Sequence, residues 1–361
     1  MSLGPAPTRL RQIALVAKDI ERAKQLITHV LGTEVVFEDP AVGQWGLKNF
    51  LVPIGGDFIE VVSPIKPGTT AGRFLERHGD GGYMIIMQTE DAKKRREHIE
   101  AKGLSRVIFE HDHGDSVYIQ YHPKGIKGGI MPELDSHVPG TENPTPVQSR
   151  FSPWHACGPD VERYTASMKK TQHLTLQGCV LRLQPGDLDH EAAARQWEEI
   201  FGVARSRDLL AFTNARLGFI PGRKGQSEGL VSITIGVKGK SEYDAILERA
   251  RNAGLWNNGG VDMCGRAIRF DMALCMPRMP QPAGQGLSKT VLRYQQIELP
   301  VLCHHVYRRR VSDSVHCFKL ENFFINAMAK NANLSGQMKG SGRWRLRDSL
   351  QKRRIVASIL T

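Results

Sequence analysis

GGDFIEVVSP, residues 55–64, decides how the chain is read. Phe58, Ile59, Val61 and Val62 have the aromatic and β-branched character of a buried strand, yet Glu60 stands among them. An ionised carboxylate in an apolar interior costs several kcal/mol unless something pairs with it. Strand side chains alternate between faces, so Glu60 either meets solvent or faces something specific. Gly55-Gly56 marks a hairpin with the preceding strand-like stretch WGLKNFLVPI.

Working outward, QIALVA (12–17) reads as a short strand. Asp19 then caps a helix, DIERAKQLITHVLG, with Ile20, Ala23, Leu26 and Ile27 at helical spacing and Gly32 as its stop. TEVVFED completes three strand-like stretches after that helix. The same order returns further on. YMIIMQT is a strand, Asp91 opens the helix DAKKRREHIEAKG, and RVIFEH, SVYIQYH and GGIMPEL follow as strands. Asp19 and Asp91 are 72 residues apart, as are Gln12 and Met84, and Glu60 precedes Glu133 by 73. A repeated βαβββ unit therefore covers residues 8–135. A looser pair follows: CVLRLQ, DHEAAARQWEEIFG and RLGFIPG, then LVSITIGV, SEYDAILERARNAG and RAIRFDMA. Between the pairs, prolines 139, 144, 146, 153 and 159 among polar residues read as a linker.

Composition bounds the function. At 361 residues, 40% hydrophobic and 24% charged, two globular domains are expected. No run of about 18 apolar residues exists, and MSLGPAPTRLRQ has no signal-peptide h-region, so a cytoplasmic protein with no membrane role is expected. The six cysteines all follow residue 150, which is no disulfide framework. The net charge of +12 is a property of the end of the chain. Residues 276–361 hold 15 Lys+Arg against 4 Asp+Glu, and the remainder holds 34 against 33. Such a tail binds polyanions without specificity, and no specific nucleic-acid partner is expected. Cys303, His304, His305, His316 and Cys317 do not match the spacing of zinc loops. The tail reads as disordered, and its abrupt composition also fits a mispredicted exon or a read-through segment.

RQIALVAKDIERAKQLITHVLG, GLKNFLVPIGGDFIEVVSP and GGIMPELD together resemble the vicinal oxygen chelate (VOC) superfamily, which includes glyoxalase I, bleomycin-resistance proteins and extradiol dioxygenases. The resemblance implies an α+β fold of tandem βαβββ units forming curved half-open sheets. It covers residues 8–135 well and 175–273 loosely and does not touch the tail, so that with the composition the chain divides into a glyoxalase-like domain with the site (8–135), the Pro-rich linker (136–160), a degenerate VOC-like domain (161–275) and the basic tail (276–361). It also implies one divalent metal ion in the concavity, held by the first and last strands of each unit. Those places are Gln12, Glu60, Met84 and Glu133. Met84 departs from the imidazole of the family, and a thioether suits a Mg, Mn, Ni or Zn ion poorly. His122, in YIQYHPKG, is a candidate to supply the missing nitrogen.

The function implied is a metal-dependent lyase or isomerase acting on a small carbonyl or vicinal-dioxygen substrate. Glu133 would be the base, and Gln12, Glu60 and Glu133 the ligands. The alternative is a metal-free small-molecule binder of the bleomycin-resistance type, in which Met84, Trp45, Phe50 and Tyr83 meet a planar ligand and Asn49 hydrogen-bonds it. An extradiol dioxygenase fits less well, because Gln12 and Met84 stand where histidines are required. The tandem domains suit a monomer, and a homodimer is the other arrangement. Counted from Asp189, Arg182 takes the place of Gln12 in the second pair, no Glu occurs between Val203 and Gly222, and Asp271 is the last strand's one acid. No second metal site is expected there. His155, in SPWHACG, could reach the first pocket from the linker, with the surface as its expected place, and Cys157 has no partner base.

Overall fold

The computed structural model describes residues 3–257 and 260–273, all within one unit, Met1–Pro277. The basic tail and its histidine–cysteine cluster lie outside the described residues.

The first sheet holds β1 (Thr8–Val16), β2 (Leu47–Ile54), β3 (Asp57–Pro64), β4 (Gly81–Thr89), β5 (Val107–Asp112), β6 (Ser116–Tyr121) and β7 (Met131–His137), in the order β2-β3-β1-β4-β7-β6-β5. β1 pairs parallel to β3, and β4 parallel to β7. The two units meet antiparallel at β1 and β4, with Ile13 opposite Ile85. Helix α1 (Ile20–Leu31) starts at Asp19, whose side chain accepts the Arg22 N–H, and stops at Gly32 in the left-handed region. Helix α2 (Thr70–His78), capped by Thr69, is added to the sequence reading, and α3 (Ala92–Ala101), the equivalent of α1 in the second unit, has the expected cap, Asp91. In α2 the helical signal is broken up by Gly68, Gly72 and Gly79, which read as turns.

TEVVFED does not form a strand. Only Phe37 bridges to Leu51. Asp39 and Pro40 then open a 3-10 helix, Pro40–Trp45, where the Asp39 side chain accepts the Ala41 N–H and proline has no donor for a ladder.

The second sheet runs β13-β14-β15-β12-β8-β11-β10-β9. Its strands are β8 (Leu174–Arg182), β9 (Arg205–Ser206), β10 (Leu209–Ala211), β11 (Arg216–Ile220), β12 (Gly229–Lys238), β13 (Trp256–Asn257), β14 (Gly260–Met263) and β15 (Arg266–Ala273). Helix α4 (Val161–Lys170) precedes this sheet, α5 (His190–Phe201) follows β8, and α6 (Lys240–Asn252) follows β12. The architecture is thus α+β with tandem units on a βαβββ plan in two curved sheets, the first unit keeping only the Phe37–Leu51 bridge in place of one strand. One apolar core joins them, running from Leu10, Ile13, Ile85 and Leu134 to Leu176, Trp197, Ile233 and Ile268.

The expected register of the second sheet needs correction. β8 ends at Arg182, and six residues separate that strand from Asp189, whereas β1 ends at Val16 with only two before Asp19. Gly178 pairs with Arg216 as Gln12 pairs with Phe58, so Gly178 holds the place of Gln12. By the same register Gly218 stands for Glu60 and Arg269 for Glu133. These backbone places repeat none of the first sheet's acidic residues.

Candidate functional site

The concave face of the first sheet is set by alternation and one bulge. The β1–β4 register slips between Leu10 and Gln12. Two consecutive side chains, Arg11 and Gln12, therefore turn to the concave face, while Leu10 and Ile13 enter the core. On β7 the period of two brings Glu133, Asp135 and His137 to that face. Glu133 pairs with Ile86 and Gln120, and Asp135 pairs with Gln88 and Tyr118.

Glu60 faces this concavity and is 8% exposed. Gln12 Nε2 donates to its Oε2 at 2.9 Å and Asn49 Nδ2 to its Oε1 at 2.6 Å. Both donors are neutral, and burial raises the proton affinity of Glu60 against the pull of those two bonds. Asn49 is itself buried, and its Oδ1 accepts the Asp39 N–H. Gln12 is fully engaged, because its Oε1 accepts the Trp154 indole N–H at 2.7 Å.

Trp154 arrives on a strap that crosses the concave face. Arg9 pairs with Asp57 and donates to the carbonyls of Ser149 and Arg150. Arg11 donates to the Ser152 hydroxyl and carbonyl at 2.8 and 2.6 Å, and its guanidinium lies over the Trp154 ring. Burial lowers Arg11 to about 9, and Arg9 beside it acts in the same sense. Trp154, Tyr164 and Met168 complete an apolar cluster with Ala14, Phe58, Met84 and Ile86. Met84 thus lies in a cluster closed by the chain itself. Phe50 belongs to the core on the other face.

The open chemistry lies towards β7 and β6. Glu133 is 8% exposed and Asp135 fully buried. Burial, and then Glu60, push Glu133 up to about 7, against a hydrogen bond from Gln120. Burial and then Glu133 raise Asp135 well above the carboxylate range. Neither Asp135 oxygen has a hydrogen-bond partner. The strap places His155 against this pair, with Nε2 3.7 Å from Asp135 Oδ2. Its side chain is 16% exposed, so the expected surface position is corrected. Tyr118 stacks on the His155 ring at 4.7 Å and 5°, and His137 lies beside it. Burial lowers His137 to about 4. One donor atom from each of Glu133, Asp135 and His155 lies within 4.8 Å of the others. Two carboxylates and an imidazole, one carboxylate lacking any partner, are a donor set that fits a divalent ion.

The remaining sequence candidates fall elsewhere. Trp45 is 42% exposed on the 3-10 helix, edge-on to Phe109 at 5.1 Å, at the rim. His122 Nδ1 accepts the Lys124 N–H in a turn after β6 and does not join the Glu133 group. Cys157 is buried and its thiol is pushed up by burial, which suits no nucleophile. Asp135 and His137 were missed, and His155 was named as able to reach the pocket but placed at the surface. The period-two spacing from Glu133 was the available signal for the first two; the fold of the strap carried the third.

Residues 13–143 match the family described as Glyoxalase-like domain. The resemblance to the VOC superfamily is borne out over this stretch. Human mitochondrial methylmalonyl-CoA epimerase is 27% identical over 135 residues, 35% of this chain and 73% of the human protein. Among solved structures, a Streptomyces coelicolor methylmalonyl-CoA epimerase variant in complex with 2-nitronate-propionyl-CoA is 20% identical with a TM-score of 0.33, covering 37% of this chain and 99% of its own. A hypothetical protein from Staphylococcus aureus is 11% identical with a TM-score of 0.46, covering 73% of this chain and 99% of its own. No described helix is long and apolar enough to cross a membrane.

Proposed function

We propose that the concave face of the first sheet is an isomerase site that moves a proton at the carbon next to a carbonyl, with Glu133 as the base. The observation that carries this reading is the pair Glu60 and Glu133. Both are buried carboxyls with raised proton affinity, at matching places in the two units. A base that titrates near neutrality is suited to take a proton at one step and return it at the next. Epimerisation delivers the proton to the face opposite the one it left, so it needs an acid–base group on each side. Glu60, held by Asn49 and Gln12, is the second such group.

A divalent ion belongs to the function that the resemblance implies. Gln12 keeps its oxygen on Trp154, so Glu133, Asp135 and His155 are the residues that would hold it. Bound there, the ion would polarise the substrate oxygen and stabilise the enolate charge. The apolar half of the concavity is filled by Trp154, Tyr164 and Met168. A small acyl group next to a carbonyl fits the remaining polar half better than a planar aromatic ligand.

A methylmalonyl thioester, the substrate type in the names of the epimerase relatives, is the probe. The full-length protein should racemise a single enantiomer. Glu133→Gln should slow this by about 10²–10⁴-fold, the usual contribution of a positioned acid–base group. Undiminished racemisation by that variant would remove Glu133 from the role.

A further inference from the structure

We infer that Glu133, Asp135 and His155 form a transition-metal site of the zinc, cobalt or manganese class, with His137 holding His155 in the ligating tautomer. The site is shifted along β7 from the place given by the resemblance, and shares only Glu133 with it. It deepens the isomerase reading, whose substrate oxygen the ion would meet.

The tautomers follow from one fixed donor. The backbone N–H of His155 approaches His137 Nε2 at 3.4 Å. A backbone N–H can only donate, so Nε2 accepts and His137 carries its proton on Nδ1. That Nδ1 lies 3.2 Å from the Gln88 side-chain amide. With the amide nitrogen turned to His137, Gln88 Oε1 is buried without a partner. The opposite amide orientation sets Oε1 against His137 Nδ1–H and satisfies both groups. His155 Nδ1 lies 3.4 Å from the same His137 Nε2 and is therefore the donor of that pair. The proton of His155 sits on Nδ1, and its Nε2 carries a bare lone pair.

That lone pair is 3.7 Å from Asp135 Oδ2, and both Asp135 oxygens lack a partner in a side chain with no solvent exposure. A lone pair beside an unpartnered carboxylate calls for a cation between them. The separation is too long for a shared proton. It is close to that of two ligands of one ion, since bonds of about 2.0–2.2 Å at tetrahedral or octahedral angles put neighbouring donors roughly 2.8–3.6 Å apart. Glu133 is the third donor. Tyr118 fixes the plane of the His155 ring by stacking on it. An imidazole oriented through its other nitrogen is the usual support of a metal-ligating histidine. One nitrogen with two carboxylate oxygens selects borderline ions over Mg²⁺ or Ca²⁺.

The test titrates chelator-treated full-length protein with Co²⁺, following visible absorption, and competes it with Zn²⁺. One ion per chain is expected. Asp135→Asn, which keeps the side-chain shape, and His155→Ala should each weaken binding roughly 100-fold or more. His137→Ala should weaken it about 10–100-fold with the stoichiometry kept. Glu60→Gln should retain wild-type affinity. Circular dichroism and thermal melting establish that each variant is folded. A folded wild type that takes up no ion overturns the site, as does affinity lost in Glu60→Gln but kept in Asp135→Asn and His155→Ala. Binding is read without substrate. An ion held here by a protein that turns over no carbonyl compound keeps the site and removes the reaction. Proton exchange by a protein that takes up no ion does the reverse.

Discussion

At Glu60 each carboxylate oxygen has a neutral amide donor and no cation, while Glu133 has Gln120 and the field of Glu60. Burial raises the proton affinity of both carboxyls against those hydrogen bonds, so stability must depend on pH in a definite sense. In ion-free protein Glu133 stands at about 7 against an ordinary 4.5. A raised carboxyl leaves stability intact below its unfolded value and takes it away as pH rises through its folded value. Glu133→Gln cannot ionise, so it should gain on the wild type as pH rises from about 4.5 to about 7, and keep that lead above. Denaturant melts of both proteins with chelator at pH 5 and pH 8 measure this. A lead that shrinks with rising pH would contradict it. The lowered His137 acts in the opposite sense, but it is common to both proteins. Glu60 in GGDFIEVVSP and its counterpart Glu133 were legible because they repeat. His155 was legible only as one of two placements, because nothing local in SPWHACG states which surface its strap will cross.

The strap is the element that separates this concavity from an open one. Its anchors are the buried arginines Arg9 and Arg11, and the backbone at Gly56, where an added Cβ would lie 1.9 Å from the Arg150 carbonyl oxygen. Gly56→Ala should lift the strap, seen as faster proteolysis within 138–160 with the sheet signal in circular dichroism kept. Unchanged cleavage would show that the strap is held elsewhere. Trp154→Ala should cost about 3–5 kcal/mol, as a large buried aromatic does, and should free Gln12 Oε1. Denaturant melting gives the number. In the sequence the prolines of this stretch read as a spacer, yet a tryptophan inside it was a signal of burial. TEVVFED read as a strand because its composition is strand-like, and Asp39-Pro40 overrode that by starting a 3-10 turn.

Across the molecule, the two sheets share a single core, and the junction is close. A Cβ on Gly82 would lie 2.3 Å from Leu230 Cβ, and Tyr121 meets Phe201 edge-on. The described body should therefore unfold in one cooperative transition by calorimetry, whereas two resolved transitions would show that the sheets fold independently. The fourfold repeat was legible from helix caps and strand periods, and the last three units keep the full βαβββ order while the first has a single bridge where TEVVFED read as a strand. The register of the second sheet was not legible, because the loop after β8 is longer than its counterpart and the count back from Asp189 passed over the turn at Pro185-Gly186 that marks the strand end. The difference in chemistry between the halves is one of side chains on the same backbone plan, with Gly178 and Gly218 where the first sheet has Gln12 and Glu60.

The central claim is proton transfer between Glu60 and Glu133 across one carbon. It is tested most directly by following α-proton exchange into D₂O, by NMR, from each enantiomer of a methylmalonyl thioester. The expected result is exchange by the full-length wild type, lost from one enantiomer in Glu133→Gln and from the other in Glu60→Gln. No solvent deuterium in the product, or exchange from both enantiomers undiminished in both variants, would contradict it.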